Sequence, residues 1–332
     1  MTYGLETDFK IYPEQFWGGV VETLQQFADG FNGASNNCLR LVTRSIKGDF
    51  EKESFIKSTA SLIARRDPTL AAAVTDNKLA QDEMVGIKIN RRIGPVAESL
   101  DAFKKIAVDP AEFSMLLGQQ TGAAVAIDYI NSALNAVRAA ITANGAAAQS
   151  DNTTVQADSV KTLSHPALVN GLALFGDRAS RIQCFVMHSK NYFDLIRQAI
   201  TDKVFEVAGA TIYSGNVATF GKPVLVTDSV NLTSGSTASN VTLYDVLGLV
   251  EGAVEVAESE ERTIISQPVT GQENLVMRIQ GEYAFNLRVK GMAYNLTNGG
   301  TNPTDLTVGT STNWTKVAAD IKSTAGVKIT VN

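Results

Sequence analysis

His188 is the side chain in this sequence best suited to general acid–base chemistry, and it closes the apolar run Ile182–Met187. A general base needs a nucleophile. Neither Gly-x-Ser-x-Gly nor a paired Cys/His pattern occurs, and Ser189 reads as the N-cap of a following helix. The nearest thing to a phosphate loop is Gly215-Asn216-Val217-Ala218-Thr219-Phe220-Gly221-Lys222. It has one residue too many between its glycines. Pro223 also stands where Ser or Thr would hold magnesium, and proline lacks the N–H that cradles phosphate. Two histidines and two separated cysteines, Cys38 and Cys184, offer no ligand spacing, so no metal, cofactor or catalytic residue is expected. The cysteines show no paired spacing and argue against a disulfide framework. What remains is charge: an acidic series, Glu251, Glu255, Glu258, Glu260 and Glu261, and a basic series, Arg65, Arg66, Lys78, Lys88, Arg91 and Arg92.

Composition bounds the rest. At 332 residues, 44% hydrophobic and 19% charged, the chain can bury a large core. A net charge of -5 gives no global basic field to gather nucleic acid. No run approaches a membrane span, and the N-terminal residues lack an apolar signal, so a soluble protein made inside a cell is expected.

Residues 1–37 hold a few anchors (Phe16, Trp17, Val20, Val21, Leu24, Phe27) and cannot close a core alone, so they read as an arm. Two alternating runs, 38–46 and 85–92, flank a charged, mostly helical insert over 51–82. Together they predict an extended two-stranded projection. Asp109-Pro110-Ala111-Glu112 starts a long helix whose apolar stripe is Phe113, Leu116, Ala123, Ile127, Ile130, Leu134, Val137 and Ile141. Gly118 and Gly122 predict a break in its middle. After the low-complexity stretch 143–164, an α/β alternation follows: helix 166–174, strand 182–187, helix 190–200, and strands at 210–213, 223–227 and 241–244. Alternation over 249–257 and 275–289 then predicts an antiparallel pair with one face buried under the long helix. The tail is Thr-, Gly- and Asn-rich, with Trp314 as an anchor and a last strand at 327–331.

The run Gly176-Asp177-Arg178 to Leu195, the later Phe220-Gly221-Lys222-Pro223-Val224 and the element order together resemble tailed-bacteriophage major capsid proteins, with their Hong Kong 97-like α+β fold. The resemblance implies an N-terminal arm at 1–37, an extension loop at 38–95 and a peripheral domain with a spine helix at 96–164. It also implies an α/β axial domain at 165–250, peripheral strands at 251–298 and a tail at 299–332. The implied protein is a virion subunit made in the host cytoplasm. It self-assembles as hexamers and pentamers around double-stranded DNA that it touches without sequence preference. A separate scaffold, a portal and cement or decoration proteins are the further partners implied. Inter-subunit contacts are then expected from Phe16 and Trp17, from Lys47, Arg65, Arg66, Arg91 and Arg92 on the projection, from the acidic Glu251, Glu255 and Glu258, and from Trp314. Crosslinking between Lys47, Lys52 or Lys57 and Asn286, Asn295 or Asn298 is not expected, because Lys and Asn are common. Two rivals stand beside this reading: an encapsulin-type shell enclosing an enzyme cargo, and an α/β enzyme using His188.

Overall fold

The computed structural model describes residues 13–43, 48–56, 65–66, 68–69, 73, 81–99, 110–151, 162–204, 220–236, 242–271, 273 and 276–332. Helix α1 spans Pro13–Ala34, and α2, Pro110–Ala143, runs 34 residues, about 50 Å. The α2 helix is unbroken, contrary to the break expected at its glycines. The reason is α1. A methyl group at Gly118 would lie 2.4 Å from the Phe16 carbonyl oxygen, and one at Gly19 would lie 2.7 Å from that of Met115. Gly122 faces Val20 and Thr23 in the same way. The glycines let two backbones touch, so Phe16 and Val20 are buried. Full burial of each such side chain contributes about 1.5–3 kcal/mol, which outweighs the ~1 kcal/mol helix penalty of each glycine.

A five-stranded sheet lies under α2 in the order β1-β9-β10-β3-β2: β1 Leu39–Thr43, β2 Phe50–Ile56, β3 Gln81–Ser99, β9 Val254–Val269 and β10 Val276–Val289. Ile87, Ile89, Tyr283, Phe285, Leu287 and Val289 form its buried face. Tyr129 of α2 meets Phe285 edge-on, with ring centres 4.9 Å apart. The antiparallel β9–β10 pair is as the alternation predicts.

The projection is built differently from the expectation. Strand β1 pairs in parallel with β9, not with the 85–92 run, because Asn37 and Cys38 carbonyls accept from Gly252 and Val254 and lock its entry. The partner of β3 on that side is β2, Phe50–Ile56, which falls where a helical insert is expected. Its charges suggest helix by composition. In place they are cross-strand ion pairs: Lys52 with Glu83 at 2.6 Å, and Glu53 with Arg288. Arg288 reaches β2 by passing over Gly86, where a methyl would meet its Cγ at 2.5 Å.

A second sheet orders β4-β13-β8-β5-β6, with β7 also paired to β8. Its strands are β4 Gln149–Asp151, β5 Ile182–Met187, β6 Val224–Val226, β7 Thr233–Ser236, β8 Thr242–Val250 and β13 Gly326–Val331. Helices α3, His165–Ala173, and α4, Ser189–Val204, complete this α/β unit. The strand expected over 210–213 lies outside the described residues. The tail at 299–332 is not an appendage, since β13 sits between β4 and β8 inside this sheet. Before it, β11, Met292–Tyr294, pairs with β12, Trp314–Lys316.

Asp245 joins the two halves. It is fully buried on β8, accepts from the Thr330 hydroxyl at 2.8 Å, and lies 3.7 Å from Arg138 of α2 and 3.9 Å from Lys328 of β13. Arg138 also donates to the Asn231 and Thr233 carbonyls. Burial lowers the Lys328 pKa from its usual value, and Asp245 works against that shift.

Candidate assembly surfaces

The chain extends β-ribbons from both ends of the covered sheet. At one end β2 and β3 continue alone, and Ile56 is 62% exposed. At the other, three strands (β3, β10 and β9) run past Gly281 beyond the buried face, leaving Val96 and Ile265 more than half exposed. A shallow cavity of about 600 Å³ opens on this second ribbon, lined by Asn90, Arg92, Thr263, Ile265, Arg278 and Gln280 among others. The N-terminal half of α2 carries a further apolar stripe at Leu116, Ala123 and Ile127, with Leu116 and Ile127 51% and 58% exposed. These three positions were expected under the helix. The glycine face packs on α1 and Tyr129 meets the sheet, which turns this stripe outward.

The residues expected at subunit contacts divide into several groups. Phe16 is buried between α1 and α2 of its own chain. Trp17 lies on α1, its side chain outside the described residues, as does all of Lys47. Arg65, Arg66 and Arg92 are exposed. Arg91 is not free for a neighbour. It binds Asp128 at 3.0 Å and Asp305 at 2.6 Å, donates to Ser132, and sits over the Phe285 ring. Half-burial opposes its charge, and the two carboxylates overcome that and raise its pKa. Tyr283 donates to the same Asp128 at 2.8 Å. Burial first, and this carboxylate second, push its phenol above the usual range. Arg91 therefore fastens β3, α2 and the C-terminal segment together.

The three acidic residues differ in their surroundings. Glu255 stands opposite Arg40 on one side and Arg288 on the other. Glu258 is half-buried, opposite Thr43 and Phe285. Glu251 occupies a tight turn, where its carbonyl accepts from Lys290 at 2.7 Å. Trp314 is an interior anchor: 3% exposed, it donates to the Val308 carbonyl at 2.8 Å and meets Tyr294 edge-on. Sequence reasoning missed Asp245, Arg138 and Lys328. The signal was there, in a lone charge within each of the apolar strands Leu-Tyr-Asp-Val-Leu and Val-Lys-Ile-Thr-Val.

His188 has structural work. Its Nδ1 accepts from the Lys190 amide at 3.2 Å, closing the start of α4, and its Nε2 lies 3.6 Å from Asp228. The Ser189 side chain bonds to Asp228, which lowers that carboxyl's pKa, so this hydroxyl is engaged with the carboxylate. Among the described residues no group of three or more His, Cys, Asp or Glu could hold a metal, and no helix is long and apolar enough to cross a membrane.

Comparison with known proteins agrees with this architecture. Among curated proteins none matches. A chain of the cyanophage Pam1 capsid asymmetric unit is similar in fold at 12% identity and a TM-score of 0.51, covering 75% of this chain and 84% of that one. A structure from Mycobacterium phage Cain aligns over 87% of this chain and 90% of its own, at 10% identity and a TM-score of 0.48. The family model described as major capsid protein 13-like matches residues 8–328. A spine helix over a five-stranded sheet, an α/β unit beside it and that near-complete match lead to one conclusion: the chain belongs to the major capsid protein 13-like family, structural capsid proteins with the Hong Kong 97-like α+β fold.

Proposed function

We propose that the chain is a non-catalytic shell subunit. Its copies associate as hexamers and pentamers into an icosahedral phage head around double-stranded DNA. The observation that carries this reading is apolar surface left uncovered by the chain itself: the outward stripe on α2 and the ribbon residues Ile56, Val96 and Ile265. Large apolar side chains exposed along one stripe, as on α2, mark an interface, and ribbons without cover gain stability only against a neighbour. Exposed Arg65, Arg66 and Arg92 steer the encounter and set register rather than supply most of the affinity. The net charge of -5 keeps the wall from trapping the packaged genome, so contact with DNA is sparse and sequence-independent. The subunit is made in the host cytoplasm and resides in the virion, where scaffold, portal and cement proteins are its further partners.

The double variant Leu116→Glu/Ile127→Glu tests the reading. Both positions face solvent in the single chain, so stability is expected within about 0.5 kcal/mol of wild type per site. Shell formation is expected to fall below detection, because two carboxylates would be buried unpaired at each contact. Normal shells from this variant would remove the α2 stripe from the interface.

A further inference from the structure

We propose that Cys38 and Cys184 form an internal disulfide when the folded subunit meets a disulfide oxidant, stapling the start of β1 to the α/β unit. Three observations bring the sulfurs together. Cys184 lies on β5 opposite Leu249 of β8 in the antiparallel register. The Cys38 thiol donates to the Leu249 carbonyl at 3.6 Å. Cys184 donates in turn to the Phe185 carbonyl at 3.4 Å, and each thiol is the largest influence on the other's titration, as neighbours would be. Both are free and buried, at 0% and 1% exposure. Their distance in sequence hides this pairing.

The position gives the bond a purpose. Cys38 stands where α1 ends and β1 begins, and the backbone there is held by Gly252 to Asn37 and Val254 to Cys38 hydrogen bonds. A disulfide at this point closes a ring that contains β1, β2, β3 and all of α2, so separation of the two sheets would need a covalent bond to break. A ring of this size shifts the unfolding equilibrium roughly a thousandfold toward the folded state. In the exchange, one thiolate attacks oxidised glutathione and expels a first glutathione thiolate. The second cysteine then attacks the mixed disulfide and expels another, leaving one new S–S bond and two reduced glutathiones. Contact with Cys184, then burial, raises the Cys38 pKa above the usual thiol value. The same contact lowers the Cys184 pKa, so Cys184 supplies the attacking thiolate and Cys38 resolves the mixed disulfide; burial of both sulfurs slows the first step.

The test uses the full chain, incubated with excess oxidised glutathione at mildly alkaline pH, alkylated after unfolding, digested and analysed by mass spectrometry without reduction. The expected result is a Cys38 peptide joined to a Cys184 peptide, with the chain lighter by two hydrogens. A rise in urea midpoint that dithiothreitol reverses, absent in Cys38→Ala and in Cys184→Ala, is expected with it. Two alkylated cysteines per chain, glutathione retained on either sulfur, or a disulfide between chains would each overturn the proposal. The wild-type mass readout decides the matter even if a variant fails to fold.

Discussion

Replacing Asp245 with alanine is expected to lower the unfolding free energy of the subunit by about 3–5 kcal/mol. That is a large share of the roughly 5–15 kcal/mol that a domain holds. Asp245 is a fully buried anion set between Arg138 and Lys328, and both cations lie in the seam between α2 and the second sheet. Removing it leaves Lys328, 7% exposed, with Asp151 but without the larger of its two counter-charges, and strips the Thr330 hydroxyl of its acceptor. Burial already lowers the Lys328 pKa, and the loss of Asp245 would lower it further. Urea unfolding of the unassembled subunit measures the effect. Adding Lys328→Met to Asp245→Ala should recover part of the loss, because an apolar group there has no charge to compensate. An Asp245→Ala subunit within about 0.5 kcal/mol of wild type would mean the seam is held by packing alone.

The second large effect has an unusual sign. Within a helix, glycine to alanine normally stabilises by about 1 kcal/mol. Gly118→Ala is expected to destabilise by about 1–3 kcal/mol instead, because its methyl would lie 2.4 Å from the Phe16 carbonyl oxygen, a backbone atom that cannot rotate away. Gly118→Val should lift α1 from α2 and expose Phe16 and Val20, so that protease cuts within residues 13–37 and assembly fails. Gly18→Ala is the matched control. It lies on the same helix pair with nothing within 4 Å of the added methyl, and it should gain stability. If Gly118→Ala also gained stability, the close α1–α2 contact would be wrong.

These two sites show where the sequence was legible and where it was not. Local periodicity announced Ile182–Met187, the long helix and the β9–β10 pair, because each is set by neighbours in sequence. Pairings between distant segments were hidden. The 50–56 run looked helical because its charges find partners on Glu83 and Arg288, 31 and 235 residues away in sequence. Gly118 looked like a weak point because its role depends on a helix a hundred residues earlier. The last strand at 327–331 was legible from its apolar run, but its place between β4 and β8 was not. Charged and aromatic residues chosen as contacts on type alone, Arg91 and Trp314, proved to be internal ties, since a long polar side chain has as many uses within a chain as between chains.

The central claim is that the molecule's work is association into a shell. Electron microscopy combined with sedimentation of the concentrated full-length protein tests it most directly. The expected result is closed icosahedral shells, or their hexamers and pentamers, from wild type, with only single subunits from Leu116→Glu/Ile127→Glu. Wild-type protein that stays a folded monomer at high concentration, under crowding and with a co-expressed scaffold would contradict it.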